Sequence, residues 1–277
     1  MDGGHADGIR ANPAQVAVAL ANLAEALSDA GNLTSAEAYL NQALALSRTP
    51  GQPATRQTAD ILMQLGLMAR DARSNPDQAA TYFRQALGLY RNILGEERPE
   101  VATALSELSG VAEWHDDLAL AEKYQRDALD IYQNTVSRDH PDHAVALANL
   151  GNILTRRGKL TEAEPMLNEA LEVERRVFGA THQRVAQTLE NLAMLYDRRG
   201  EYRHAVDTMN LSLDLTRQRL GGDHYLVGYR LDYLANLYLK LGDAATAERK
   251  AREALEVYGR SLPAEHLYVA STRQLLG

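Results

Sequence analysis

The sequence predicts an all-α chain whose helical hairpins stack into a solenoid. One phrase is written again at a fixed step, each copy holds two apolar stripes of helical period, and the composition favours helix. "NLGNILTRRGKLTEAE" at 149–164 returns as "NLAMLYDRRGEYRHAV" at 191–206 and as "YLANLYLKLGDAATAE" at 233–248. Leu108, Leu150, Leu192 and Leu234 stand 42 residues apart, as do Leu105, Leu147, Leu189 and Leu231. Ala121, Ala163, Ala205 and Ala247 keep the same step, and so do Leu129, Leu171, Leu213 and Leu255. Leu23 and Leu65 are also 42 apart, whereas Leu65 to Leu108 is 43, which places one extra residue near "RDARSNPDQ". A single hairpin cannot cover its own apolar stripe, but stacked copies can.

Residues 1–13 lack any periodic pattern and are expected to be a disordered segment; 14–277 are expected to form one solenoid domain. Copies one (14–47) and two (57–95) are joined by the irregular "SRTPGQPATRQ". Copy two lacks the turn glycine, and copy three (98–137) has Asp116 in its place, so regular stacking is expected least in these copies. Copy four (141–179) states the pattern most fully. Leu147, Leu150, Gly151 and Leu154 fall at i, i+3, i+4 and i+7, the stripe of an amphipathic first helix. Gly158 ends it. Thr161 and Glu164 read as a capping box, with Pro165 in the first turn that follows. Ala163, Leu167, Ala170 and Leu171 form the second stripe, and Gly179 closes that helix in a left-handed cap. Small residues at 151, 163 and 170 let the helices approach closely. Copies five (182–221) and six (224–262) repeat the plan, and 264–277 begin a seventh.

Ala and Leu dominate, Phe numbers 2 and Trp 1, and runs of β-branched residues are absent, a composition that enters helices easily. The formal net charge of −8 argues against a general nucleic-acid binder, which must neutralise phosphates. With no cysteine there is no disulfide, thiolate nucleophile or Cys-ligated zinc. No apolar run is long enough to span a membrane. The opening residues also lack the apolar core of a signal peptide, so a cytoplasmic location is expected.

"DHPDHAVALANLGNILTRRGKLTEAEPMLNEALEVERRVFG" (139–179) and "THQRVAQTLENLAMLYDRRGEYRHAV" (181–206) resemble tetratricopeptide repeats, more narrowly the 42-residue repeats of kinesin light chain and its bacterial relatives. The resemblance covers about residues 14–277. It implies a right-handed solenoid whose first helices line a concave wall that holds peptides. Carried onto this sequence, the wall comprises Asn149 and Asn191, with Tyr233 in their phase, and Asn152 with Asn236. Arg156, Arg198 and Lys240 form a further set, and Trp114 holds their phase in copy three. An amide side chain both donates and accepts, so it can bond a peptide backbone whatever its sequence. A row of cations favours acidic side chains or a terminal carboxylate. Tyr225, Tyr229 and Tyr233 fall at i, i+4 and i+8 and form an aromatic stripe that could receive an apolar side chain or pack on the next helix.

His140, His182, His224 and His266 are 42 apart. Equivalent positions of stacked copies are separated by about a helix spacing, which is too far for ligands of one metal. They read instead as residues at the start of each first helix. "GK" at 158–159 has no phosphate-loop context, and no catalytic signature occurs. The sequence therefore points to a non-enzymatic interaction scaffold with no cofactor and no metal. Its expected partner is a protein or peptide, with neither nucleic acid nor membrane involved. A regulatory module of a larger signalling protein and a small-peptide receptor are the alternatives.

Overall fold

The computed structural model describes residues 12–48, 53–71 and 75–276. Among these residues there are thirteen α-helices and no strand. The chain divides into two compact units, with the boundary between Thr135 and Val136. The N-terminal unit holds α1 (Pro13–Asp29), α2 (Leu33–Ser47), α3 (Arg56–Asp71), α4 (Pro76–Leu94), α5 (Pro99–Trp114) and α6 (Leu118–Thr135). The C-terminal unit holds α7 (Pro141–Arg156), α8 (Leu160–Phe178), α9 (Gln183–Arg199), α10 (Tyr202–Leu220), α11 (Tyr225–Lys240), α12 (Ala244–Ser261) and α13 (Leu267–Leu276). Within each unit every odd-numbered helix from α1 to α11 pairs with its successor. Consecutive hairpins then pack through α2–α3 and α4–α5 in one unit, and through α8–α9, α10–α11 and α12–α13 in the other. Each unit is thus an α-solenoid stack, and the six hairpins and α13 coincide with the expected six copies and start of a seventh. Residues 1–11 of the expected disordered segment, 49–52 of the irregular connection, 72–74 of copy two's turn, and Gly277 lie outside the described residues. Pro13 already belongs to α1.

The recurring leucines fill the seams. Leu108, Leu150, Leu192 and Leu234 are at most 3% exposed. Leu23 departs from its phase and is 43% exposed, because among the described residues no helix precedes α1 to cover it. The seams inside two of the hairpins show reciprocal sizes. A Cβ built on Gly151 of α7 would come within 2.6 Å of Leu167 on α8, and one on Gly66 of α3 within 2.4 Å of the Phe83 ring on α4. Where the second helix presents a large side chain, the first must present almost none.

The turn inside the hairpin recurs in detail. Gly31, Gly158, Gly200 and Gly242 have φ between 75° and 81°, and Asp116 takes the same place at φ 57°. Asp is among the few residues that tolerate this region, which explains how copy three turns without glycine. The next amide closes the helix through a six-to-one bond, as in Lys159 N–H to Leu154 O at 2.9 Å and Asp117 N–H to Ala112 O at 2.9 Å. That residue also opens the following helix. The side chains of Asn32, Asn75, Asp117 and Asp243 accept from the amides of Ser35, Gln78, Leu120 and Thr246.

Copy four differs from its reading here. Lys159 is the N-cap of α8 and makes no side-chain cap bond, so Thr161 lies inside the first turn and the capping box does not form. The tight turn at Gly158 starts the helix before Thr161 is reached. Glu164 instead accepts from Arg199 of α9 at 2.6 Å. Pro165 sits at the sixth residue of α8, beyond the first turn. Gly179 has the positive φ expected of it, 91°, but with an extended ψ of 153°.

The four phased histidines are helix caps. The Nδ1 atoms of His140, His182, His224 and His266 accept from the amides of Asp142, Arg184, Leu226 and Tyr268 at 3.2–3.3 Å. Each serves its own helix, and among the described residues no group of three metal-ligating side chains converges. His182 is held below the ordinary imidazole value of 6.5 by desolvation first, then by the charges of Arg219 and Arg184. Protonating its Nδ1 would remove the cap and place a cation at a helix N-terminus. The unfolded chain takes up this proton first, so the contribution is present above pH 6.5 and lost as pH falls through the folded value. Glu174 has the opposite sign. Burial is the largest cause raising its carboxyl above the ordinary 4.5, so its contribution is present below 4.5 and lost as pH rises through the folded value. Melting curves from about pH 7.5 to about pH 5 should therefore show a smaller acid-side loss for His182→Asn and a larger one for Glu174→Gln. Superimposed pH profiles for wild type and both variants would refute this assignment.

Candidate functional site

The first helices of the C-terminal unit position the sequence-expected residues on successive turns. On α7, Asn149 is exposed, and Asn152 and Arg156 are half-buried. On α9, Asn191 is only 8% exposed, while Arg198 is exposed. On α11, Tyr229 and Tyr233 are half-buried, and Asn236 and Lys240 are exposed. Among the described residues, the side chains of Asn149, Asn152 and Asn191 make no hydrogen bond. Asn236 differs, since its amide donates to Asp232 O one turn back on its own helix at 2.9 Å.

The cations separate into distinct environments. Lys240 is bound by Asp197 of α9, with Nζ at 2.6 and 2.7 Å from the two carboxylate oxygens, and lies over the Tyr202 ring at 5.7 Å. The Tyr233 hydroxyl donates to the same carboxylate at 2.9 Å. Asp197 thus ties α9 to α11 and absorbs the charge that the sequence offered to a ligand. Burial chiefly, and Asp197 after it, push the Tyr233 phenol well above its ordinary value, so it remains a donor. Arg198, next in sequence, forms no ion pair among the described residues.

The tyrosine stripe divides. Tyr225 is 38% exposed and lies beside the His224 ring at 4.8 Å. Tyr229 packs against Tyr268 of α13 at 5.7 Å between centroids, and burial pushes its phenol up to about 12. Tyr233 packs on the core formed by α9–α12. In the N-terminal unit, Trp114 at the end of α5 is 60% exposed and borders a small cleft of about 60 Å3 with Arg70 and Pro76.

One polar cluster was missed. Arg230 of α11, 2% exposed, meets Glu190 of α9 at 2.7 Å, and its Nε donates to Ser212 Oγ of α10, also at 2.7 Å. Ser212 in turn donates to Ala186 O at 2.5 Å. A signal for it exists in the sequence. The phase of Arg230 is Ala104, Ala146 and Thr188 in copies three to five and Thr272 in the seventh, a run of small residues in which a long cation is out of place.

Family models described as tetratricopeptide repeat match residues 57–134, 100–173 and 142–218, and further ones match 16–49 and 227–268. The chain belongs to the tetratricopeptide repeat family. Among curated proteins none matches it. Solved tetratricopeptide repeat structures share its fold. BtubC (BKLC) from P. vanneervenii is 20% identical, with a TM-score of 0.61 and 90% of each chain covered. A putative kinesin light chain from Podosopora anserina, with nearly identical TPR-like repeats, is 16% identical at a TM-score of 0.62, covering 75% of this chain and 97% of its own. A Rap protein complexed with Competence and Sporulation Factor is 16% identical at a TM-score of 0.65, covering 94% and 81%. Tetratricopeptide repeats serve in general as protein–protein interaction scaffolds. Among the described residues, no helix of this one is long and apolar enough to cross a membrane.

Proposed function

We propose that the wall formed by α7, α9 and α11 holds a peptide segment or partner domain, and that this tetratricopeptide repeat protein recruits rather than catalyses. The observation that carries the reading is the set of side-chain amides of Asn149, Asn152 and Asn191. They stand on consecutive first helices without a hydrogen-bonding partner among the described residues. Packed helices lie about 8–10 Å apart and an extended peptide advances about 3.3 Å per residue. Each repeat therefore meets roughly every third ligand residue, and an amide at that place can bond its backbone in either sense. Arg198 adds an uncommitted guanidinium suited to a carboxylate. The Rap protein of the same fold, complexed with Competence and Sporulation Factor, supports the reading by analogy.

A peptide-library pull-down with Asn149→Ala/Asn191→Ala beside wild type tests it. The pair is expected to weaken many ligands with little change in melting, and Arg198→Glu to shift preference away from acidic peptides. If both variants keep every wild-type ligand, the wall is not the binding surface.

A further inference from the structure

The N-terminal unit carries a recess of its own. A cleft of about 280 Å3 opens between α1, α2 and α3. Its apolar lining includes Leu33, Leu40, Leu67 and Met68, and its rim carries Glu25, Asp29 and Asp71. All three carboxylates are exposed. Asp71 pairs with Arg70 at 2.6 Å, and the same guanidinium also meets Glu107 of α5. Among the described residues, Glu25 and Asp29 form no ion pair and no cation lines the cleft. Gln64 also lines it, and its Oε1 accepts no hydrogen bond.

The repeat phase shows which wall this is. Glu25 and Leu67 stand one 42-residue step apart, as do Asp29 and Asp71. Carried forward through the single extra residue, Leu67 falls in phase with Asn152 and Asn236, and Asp71 with Arg156, Arg198 and Lys240. The phase that presents Asn152, Met194 and Asn236 in the C-terminal unit presents Glu25 and Leu67 here, and the phase of the three cations presents Asp29 and Asp71.

We infer that this cleft receives a cationic, apolar segment of a partner protein: a leucine-sized side chain in the recess, flanked by Lys or Arg. The inference rests on reading these phases as ligand-facing. An apolar side chain leaves water against Leu40, Leu67 and Met68. Lys and Arg can lay their stems along the same surface while their charged heads reach Glu25 and Asp29. An acidic segment would meet two uncompensated carboxylates and be repelled.

Fluorescence anisotropy with the intact chain tests this, using three labelled hexapeptides: Lys-Arg-Leu-Leu-Lys-Arg, its Leu-to-Ala counterpart, and Glu-Asp-Leu-Leu-Glu-Asp. The first should bind best, and more weakly as salt rises. Glu25→Gln/Asp29→Asn and Glu25→Lys/Asp29→Lys, both on exposed positions, should weaken it, the reversal by about tenfold or more. Equal affinity for the acidic probe, or indifference to both carboxylate variants, overturns the inference. So does a change in oligomeric state alone, which would make the cleft an interface between copies. Loss on Asn149→Ala/Asn191→Ala but not on the carboxylate variants also overturns it, while sparing the proposed C-terminal wall. Loss on the carboxylate variants with the Asn pair silent supports the cleft.

Discussion

Glu190→Met alone, or Arg230→Met alone, is expected to destabilise the C-terminal unit by about 3–5 kcal/mol, whereas the double variant should match or exceed wild type. Arg230 is 2% exposed and Glu190 8% exposed, so neither charge can turn to water if its partner is removed. Burial raises the Glu190 carboxyl above its ordinary range even though Arg230 pulls it down, which shows how strongly the site disfavours a bare carboxylate. Removing both charges leaves Ser212 still donating to Ala186 O, so no new orphan is created. Two methionines fill comparable volume and adapt to irregular space. Urea denaturation followed by circular dichroism, with hydrogen exchange on α9 and α11, measures the three variants. Single-variant losses below about 1 kcal/mol would mean that the pair behaves as a surface ion pair.

The same cluster shows where sequence reading stops. Burial was legible because leucine and alanine recur in phase, and a position reports its environment whenever the other copies agree on it. The small residue at 151 was legible for that reason, as were the histidines that open the first helices. The amide and cation rows were legible as phases. What each cation does was not, because it depends on a neighbour one repeat away. Lys240 and Tyr233 of α11 both find Asp197 across on α9, and no local pattern announces it. The capping box at Thr161 failed for a related reason. Its residue types were right, but the turn at Gly158 had already fixed where α8 begins. In the N-terminal unit, the acidic set of Glu25, Asp29 and Asp71 spans two phases, and no repeated pattern marked it. It acquires meaning only when the cleft beside it is seen.

The size reciprocity inside the hairpins leads to the other large effect. Phe83 is fully buried, and Phe83→Ala should destabilise the N-terminal unit by about 3–5 kcal/mol through the cavity left behind. Gly66→Ala should also destabilise it, by about 1–3 kcal/mol, because the added Cβ would stand 2.4 Å from the Phe83 ring and one of them must shift. The chain itself shows a packing that accepts the extra methyl. At the equivalent phases of copy five, Ala193 faces an unbranched Met209, both fully buried in one cluster. Transplanting that solution as Gly66→Ala/Phe83→Met should recover most of the loss seen with Gly66→Ala, since a thioether chain can bend away from the methyl where a ring cannot. The protein's single tryptophan, Trp114, lies in this unit, so its fluorescence reports the transition directly. A double-mutant cycle should yield a coupling of about 0.5–3 kcal/mol. Strict additivity of the two changes would mean that residues 66 and 83 do not share one packing site, and that the repeated small–large pairing does not hold the hairpins together.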